Sequence, residues 1–257
     1  LINAHSHYAS QRLEGPSHQV WQWPETLQIL RAAAKGKEEL ERGVTSVRDL
    51  GAKGTLNIVL KRAIAMGITP GPRMVVCGQL ICTTGGHGYY MGREVDGPDA
   101  MRVAVRDMFK LGADFIKVYA DYRWGPNGEA RPSFSVDEMK LMVDTARSSG
   151  RGVVAHSSTD EGMRRATLAG VETIEHGDDG TAETFKLMTE RGVGYCPTVA
   201  AGDATAQYAG WKKGVDPEPA RLTAKRASFR RALDSGVRMC FGGARLPSCF
   251  AVRIAAL

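Results

Sequence analysis

The sequence predicts an α/β fold, a (β/α)₈ TIM-type barrel in which parallel strands alternate with amphipathic helices. Short apolar segments alternate with amphipathic segments along most of the 257 residues, and no low-complexity linker divides them. A glycine follows most of the predicted helices, where a left-handed residue ends a helix at low cost. Because strands that alternate with helices indicate βαβ units, a parallel sheet is expected.

Eight strands and seven helices of this length suit the barrel. The predicted strands cover residues 1–7, 45–50, 73–82, 114–119, 152–156, 173–176, 194–199 and 237–241. The predicted helices cover residues 25–42, 55–66, 99–111, 135–149, 160–169, 182–191 and 219–235. Residues 202–216 are predicted to be irregular. A doubly wound open sheet is the alternative, but no GxGxxG motif follows an early strand, which disfavours a dinucleotide-binding version.

Composition is ordinary for a globular domain, with 43% hydrophobic and 24% charged residues and a net charge of +6. Basic clusters at residues 163–165 and 228–231 fall on predicted helices without interleaved aromatic residues, so solvated helix faces are expected and nucleic-acid binding is not. No apolar segment of about 18 residues predicts a membrane span. Five cysteines without a CxxC motif predict buried free thiols in a reducing compartment, and no signal peptide is visible, so we expect a cytoplasmic protein.

Polar side chains occupy the ends of several predicted strands, where the active sites of such barrels lie. His5 and His7 end the first strand, and residues two apart on a strand point to the same side. Lys117 interrupts an apolar strand, and a buried lysine is costly unless it is paired or modified. His156 and His176 end two further strands. Each residue alone is ordinary, but all five together predict a metal site at one rim.

A sixth candidate is His87, in the loop Thr-Thr-Gly-Gly-His-Gly at residues 83–88 after the third predicted strand. Its glycines would let the backbone approach a ligand closely. A flexible surface loop is the alternative interpretation. If the loop covers the same rim, His87 faces the metal site.

These residues resemble the amidohydrolase superfamily, and within it the binuclear-metal branch of prolidase-like and carboxypeptidase-like enzymes. The resemblance is carried by residues 1–7, 43–49, 84–88, 115–117, 154–156 and 173–177, which read LINAHSH, GVTSVRD, TGGHG, FIK, VAH and TIEHG. It implies two divalent metal ions, with zinc as the default and manganese, cobalt or iron as alternatives. By this resemblance His5 and His7 would bind the first ion, His156 and His176 the second, and a CO₂-derived carboxylate on Lys117 would bridge them.

The resemblance also implies a function. A metal-dependent hydrolase would cleave the amide or peptide C–N bond of an Xaa-Pro or other dipeptide, or of an N-acyl amino acid, with a metal-bridging hydroxide. His87 would polarise the substrate carbonyl. Tyr89 and Tyr119, or neighbouring Tyr90, Tyr122 and Arg123, would bind the substrate carboxylate. The expected partner is a small-molecule or dipeptide substrate, with no nucleic acid and no membrane, and homo-oligomerisation is left open.

The chain departs from the family at the end of the eighth strand. The family has roughly Phe-Gly-Thr-Asp there, and its aspartate is both a metal ligand and the proton shuttle, whereas residues 241–244 read Phe-Gly-Gly-Ala. We therefore expect an incomplete barrel over residues 1–243, without helix eight or the flanking β-sandwich, and a divergent tail at 244–257 from a truncated or frame-shifted reading. Alternatives are an inactive metal-binding fragment and an imidazolonepropionase-like cyclic amide hydrolase. A deaminase is disfavoured because Thr159 stands where deaminases of this superfamily carry a glutamate.

Overall fold

The computed structural model describes residues 1–10 and 22–243. The strands are β1 (Ile2–Ser6), β2 (Ser46–Asp49), β3 (Arg73–Val76), β4 (Ile81–Cys82), β5 (Arg93–Glu94), β6 (Ile116–Tyr119), β7 (Asp121–Tyr122), β8 (Arg131–Pro132), β9 (Val153–Ser157), β10 (Thr173–His176) and β11 (Gly194–Cys196). The helices are α1 (Glu25–Glu41), α2 (Leu56–Ala65), α3 (Pro98–Leu111), α4 (Val136–Arg147), α5 (Asp160–Ala169), α6 (Ala182–Arg191), α7 (Val199–Tyr208) and α8 (Ala220–Ser235). A short 3₁₀ turn covers Tyr8–Ser10.

The strands close into a parallel barrel. One sheet has the order β1-β2-β3 and a second the order β11-β10-β9-β6-β4-β5. The amide of Asp114, just before β6, donates to the carbonyl of Val76 at 2.7 Å and links the two sheets. On the other side, residues 238–241 take the eighth strand position, because Cys240 N donates to Tyr195 O at 2.9 Å and Ala4 N donates to Phe241 O at 2.8 Å. The predicted α/β barrel is confirmed, and among the described residues no helix follows the eighth strand.

Three predicted elements differ from the structure. The predicted strand 73–82 breaks into β3 and β4 because Gly78 turns the chain at a φ of 72°. A Cβ there would lie 3.0 Å from the Met108 sulfur, so only glycine lets α3 pack this closely. Residues 202–216 were predicted to be irregular, and this prediction is wrong for the first half of the segment, which forms the end of α7. The predicted strand 194–199 ends early, at Cys196, because Thr198 adopts a φ of 44°.

Successive side chains of a strand point alternately toward the surrounding helices and into the barrel interior. In β6, Ile116 and Val118 join the large core between strands and helices, so Lys117 and Tyr119 point into the barrel. A smaller apolar cluster of Leu50, Cys77, Phe115 and Val154 fills the interior. Phe115 and Val154 each lie two residues before a predicted ligand, so this cluster forms the floor under the predicted metal site. The four described cysteines are free thiols, three of them buried, while Cys249 lies outside the described residues.

One predicted basic cluster lies on α5 and is neutralised locally. Glu161 accepts hydrogen bonds from Arg164 Nε at 2.7 Å and Arg165 Nε at 2.8 Å, which supports the prediction of a solvated helix face. No helix of the described residues is both long and apolar enough to span a membrane.

We expect Glu161→Gln to lower the free energy of unfolding by only about 0.5 kcal/mol near neutral pH, since the ion pairs are exposed and screened by water. The hydrogen bond from Arg164 holds the pKa of Glu161 at about 2, below its ordinary 4.5. The stabilisation is therefore full above pH 4.5 and is lost as the pH falls through 2. Urea unfolding of both proteins across this pH range measures it, and a difference that persists at the acid end contradicts the assignment.

Candidate metal centre

A cavity of about 290 Å³ opens at the carboxyl ends of the barrel strands. Its lining includes five histidines, namely His5, His7, His87, His156 and His176. The ring centroid of His5 lies 5.3 Å from that of His7 and 4.9 Å from that of His176. The ring centroids of His156 and His176 are 4.5 Å apart. The structure therefore brings the four histidines predicted from strand ends into one continuous cluster.

The protein orients His5, in β1, and His7, directly after β1, through their Nδ1 atoms. His5 Nδ1 lies 2.6 Å from Glu175 Oε2, and His7 Nδ1 lies 2.9 Å from the carbonyl oxygen of Gly51. Both partners are acceptors, so each ring donates from Nδ1 and carries its lone pair on Nε2. His5 Nε2 is buried and has no hydrogen-bond partner among the described residues. Burial lowers the pKa of His5 to about 4, so the ring is neutral near pH 7, as a metal ligand requires.

His176 reaches the cluster through an unusual backbone conformation. Its neighbour Glu175 already points into the barrel, and strict alternation would send His176 to the helix layer. A φ of 78° at His176 reverses this direction, and its Nδ1 lies 2.7 Å from Thr198 Oγ1. Thr198 itself has a φ of 44°, so the two non-glycine residues with positive φ among the described residues are hydrogen-bonded to each other. Backbone strain of this kind concentrates at functional sites.

We expect Thr198→Gly to weaken metal binding about 10- to 100-fold, because His176 loses the group that orients its ring. The free energy of unfolding should change by no more than about 1 kcal/mol, because relief of the strained φ offsets the flexibility of glycine and the lost side-chain packing. Titration against a chromophoric chelator and urea unfolding measure the two quantities. Thr198→Ser keeps the hydroxyl and should retain the affinity, and equal affinity of all three proteins would exclude the role.

Lys117 lies fully buried in the barrel interior and does not itself line the cavity. Its Nζ has no hydrogen-bond partner among the described residues and lies 5.4 Å from the centroid of the Tyr119 ring. Burial lowers the pKa of Lys117 to about 8, against the attraction of Glu175. An ammonium group without hydrogen bonds is expensive to bury, so burial favours the neutral amine at Lys117.

Asp121 is a site residue that the sequence interpretation missed. Its Oδ2 accepts hydrogen bonds from the Ser157 hydroxyl and from the backbone amides of Ser158 and Thr159, at 2.7–2.8 Å. Its Oδ1 lies 3.6 Å from His156 Nε2. The carboxylate thus fixes the turn after β9 beside one predicted ligand. The spacing Lys-x-Tyr-x-Asp from residue 117 to 121 could have revealed it, since residues two apart share a side.

His87 reaches the cavity, but one of the two tyrosines predicted to bind substrate does not. The His87 ring stacks on Tyr119 at 4.7 Å and on His156 at 4.6 Å, and both His87 and Tyr119 line the cavity. Tyr89 is absent from the lining, is 53% exposed and packs edge-on against Tyr90. The cavity lining gives no support to the prediction that Tyr89 binds substrate; its amide donates to Gly86 O at 3.2 Å, which closes a turn of the loop.

The cavity lining also includes three cationic side chains. They belong to Arg123, Arg221 and Lys225. Lys225 is buried, donates to the carboxylate of Asp178 and lies 3.3 Å from the carbonyl oxygen of His176. Arg221 and Lys225 belong to α8. Because the site residues were predicted from the ends of strands, these two helical residues could not be predicted in that way.

Glu175 belongs to the quoted TIEHG segment, yet the sequence interpretation gave it no role. Its carboxylate, His5 and Cys196 have potential ligand atoms within 4.8 Å of one another. Glu175 Oε1 is, however, 2.6 Å from both Arg48 Nη2 and Thr173 Oγ1, and Oε2 binds His5. The carboxylate is therefore a partner of the imidazole rather than a ligand. Ala244, where the family has an aspartate, lies outside the described residues.

Comparison with known proteins agrees with this geometry. The model of the amidohydrolase family matches residues 1–249. Ochratoxinase of Aspergillus niger is 30% identical in an alignment 188 positions long, and the match covers 63% of this chain and 38% of that protein. The solved structure of that ochratoxinase superposes with a TM-score of 0.83 at 25% identity, covering 96% of this chain and 63% of the other. A Xaa-Pro dipeptidase with methionine bound in its active site superposes with a TM-score of 0.80 at 31% identity, covering 95% and 65%.

The chain thus spans less than two thirds of the length of each of these relatives. The match of the family model over most of the chain, together with a Xaa-Pro dipeptidase among the similar structures, confirms the resemblance to the prolidase-like branch. This chain belongs to the amidohydrolase family.

Proposed function

We propose that the protein is the metal-binding barrel of a hydrolase that cleaves an amide C–N bond in a dipeptide, such as Xaa-Pro, or in an N-acyl amino acid. The histidine cluster is the observation that carries the proposal. Four imidazoles line the cavity, and hydrogen bonds between His5, His7 and His176 and their neighbouring groups fix the ring orientations. Partners of this kind typically orient metal ligands. The family membership and the names of two relatives, a Xaa-Pro dipeptidase and an ochratoxinase, support the same reaction class.

The residues present fit a pair of metal ions. His5 and His7 would hold one ion, His156 and His176 the other, and Lys117 would bridge them as a carbamate. Two of the buried polar atoms that lack a hydrogen-bond partner among the described residues, His5 Nε2 and Lys117 Nζ, are atoms that this arrangement would use. Zinc is the default for a histidine-rich site. When bound, the two ions would supply Lewis acidity and lower the pKa of water toward neutrality.

The chain's own side chains would bind and orient the substrate. His87 lies on the cavity wall, where an imidazole N–H could donate to the carbonyl oxygen as negative charge develops on it. Tyr119 stacks against His87 and restricts its ring. Arg123 and Arg221 place positive charge on the wall, which suits a substrate carboxylate. Cleavage also requires an acid to protonate the leaving amine, and position 244 carries alanine instead of a carboxylate.

Because of Ala244, a second candidate function is a barrel that binds metal and ligand without turnover. The same residues would hold the ions, but the leaving amine would receive no proton from the eighth strand. This candidate makes the same prediction for metal content and the opposite prediction for hydrolysis.

Metal content and a substrate panel test both candidates on the 257-residue chain. We expect about two ions per chain after loading with zinc and bicarbonate, and release of amino acid from Xaa-Pro dipeptides or N-acyl amino acids. A cyclic amide in the panel tests the ring-hydrolase alternative. Two ions without turnover would select the binding-only barrel, and a chain that retains no metal would contradict both. Metal-stripped protein is the control for background hydrolysis.

A further inference from the structure

The carboxylate of Glu175 is wholly buried in the barrel, and its two oxygens have different hydrogen-bond partners. Oε1 accepts from Arg48 Nη2 and from Thr173 Oγ1, each at 2.6 Å. Among the described residues, Oε2 has one hydrogen-bond partner, His5 Nδ1, also at 2.6 Å. One oxygen is thus held by the barrel wall, and the other is presented to the imidazole.

Arg48 fixes this orientation because it is itself held at several points. Its Nε donates to Ala4 O at 2.7 Å, and its Nη1 donates to Thr173 Oγ1 at 3.1 Å. The guanidinium also lies 5.8 Å from the centroid of the Phe115 ring. A guanidinium stays charged and only donates hydrogen bonds, so the oxygen that faces it must be an acceptor.

We infer that Glu175 is a positioning residue that fixes His5 in the tautomer protonated on Nδ1, and that Arg48 fixes the carboxylate. A carboxylate can only accept, so the hydrogen of the neutral ring must lie on Nδ1. The lone pair then lies on Nε2, the buried nitrogen without a hydrogen-bond partner among the described residues. The consequence for metal binding rests on the proposed function, whereas the tautomer is a property of the protein alone.

The substitution Glu175→Gln tests the inference with almost no change of shape. Arg48 and Thr173 hold the acceptor position, so the amide oxygen of glutamine must occupy the place of Oε1. Its NH₂ group then faces His5 Nδ1, which must accept. We expect the ring to switch to the tautomer protonated on Nε2, and zinc affinity to fall about 10- to 100-fold.

A second substitution should reverse the effect. In Arg48→Met/Glu175→Gln the guanidinium no longer holds the amide oxygen, and the Thr173 hydroxyl can accept as well as donate. The amide can then turn its oxygen toward His5, and the Nδ1-protonated tautomer should return together with most of the zinc affinity. Loss of both members of a buried ion pair is also better tolerated than loss of one, which favours folding of the double variant.

Nitrogen-15 NMR of the metal-free proteins, at mildly alkaline pH, reads the tautomer of His5 directly. The expected pattern is Nδ1–H in the parent chain, Nε2–H in Glu175→Gln and Nδ1–H again in the double variant. Asp114→Asn, which removes another hydrogen-bonded carboxylate far from the histidines, is the matched control and should leave tautomer and affinity unchanged. An Nε2–H ring in the parent chain, or an unchanged ring in Glu175→Gln, would overturn the inference. If the tautomers follow the pattern but the parent binds no zinc, the proposed function fails and the inference stands.

Discussion

Replacing Lys117 with methionine is expected to abolish binding of the metal pair and, at the same time, to stabilise the metal-free protein. The side chain is fully buried, and its ammonium has no hydrogen-bond partner among the described residues. Methionine has a similar length and flexibility but no charge to desolvate. Removing an unsatisfied buried polar group should raise the free energy of unfolding by about 1–3 kcal/mol. In the proposed arrangement, loss of the amine would remove the bridging carboxylate, and hydrolysis would be lost with it.

A second buried lysine of the same barrel provides a matched control. Lys225 is also almost inaccessible to solvent, but it is paired with the Asp178 carboxylate and the His176 carbonyl. Lys225→Met should therefore destabilise the protein, by about 1–3 kcal/mol, because it leaves a partner unsatisfied. Urea unfolding of the metal-free proteins measures both changes, and elemental analysis measures the bound metal. A Lys117→Met protein that is less stable than the parent, or that still binds two ions, would contradict the assignment.

The sequence predicted much of the candidate site because one rule of barrel geometry applies to it. Parallel strands that close into a barrel bring their carboxyl ends to one rim, so polar residues at several strand ends must lie together. His5, His7, His156 and His176 satisfied that rule, and the structure places them in one cluster. Lys117 was recognisable for a different reason, since a lone charge in an apolar strand requires an explanation.

The rest of the site depends on features that alternation does not predict. Glu175 and His176 are consecutive and both point into the barrel, which needs the positive φ of His176. The presence of a histidine at this position does not by itself predict a positive φ. Arg221 reaches the cavity from α8, so only the packing of the helix layer determines its position. Tyr89, two residues after His87, is not among the residues that line the cavity, so proximity in sequence alone does not place a side chain there.

The second large effect is expected at His87, which the structure places on the cavity wall. Its loop passes so close to Tyr119 that a Cβ on Gly88 would lie 2.7 Å from that ring, so the glycine is needed to bring the imidazole there. Gly85 N donates to Glu94 Oε1 at 2.6 Å and anchors the other side of the loop. The ring packs against both Tyr119 and His156, which also contact each other, and these contacts restrict its orientation before substrate arrives.

If His87 donates a hydrogen bond to the carbonyl oxygen as charge develops, its benefit is largest in the transition state. We therefore expect His87→Asn to lower kcat about 10²- to 10³-fold, with a similar loss in kcat/KM and little change in KM. Metal content should stay at the parent value, because His87 is not a proposed ligand. Steady-state kinetics with the best substrate of the panel and elemental analysis of the same preparation measure both quantities.

The neighbouring Tyr89→Phe is the matched control, since Tyr89 shares the loop but lies off the cavity, and its kinetics should equal those of the parent. A fall in bound metal in His87→Asn would make His87 a metal ligand. A rise in KM at constant kcat would assign it to substrate binding alone. Either result would exclude the carbonyl-polarising role, because that role requires intact metal content together with a loss confined to the chemical step.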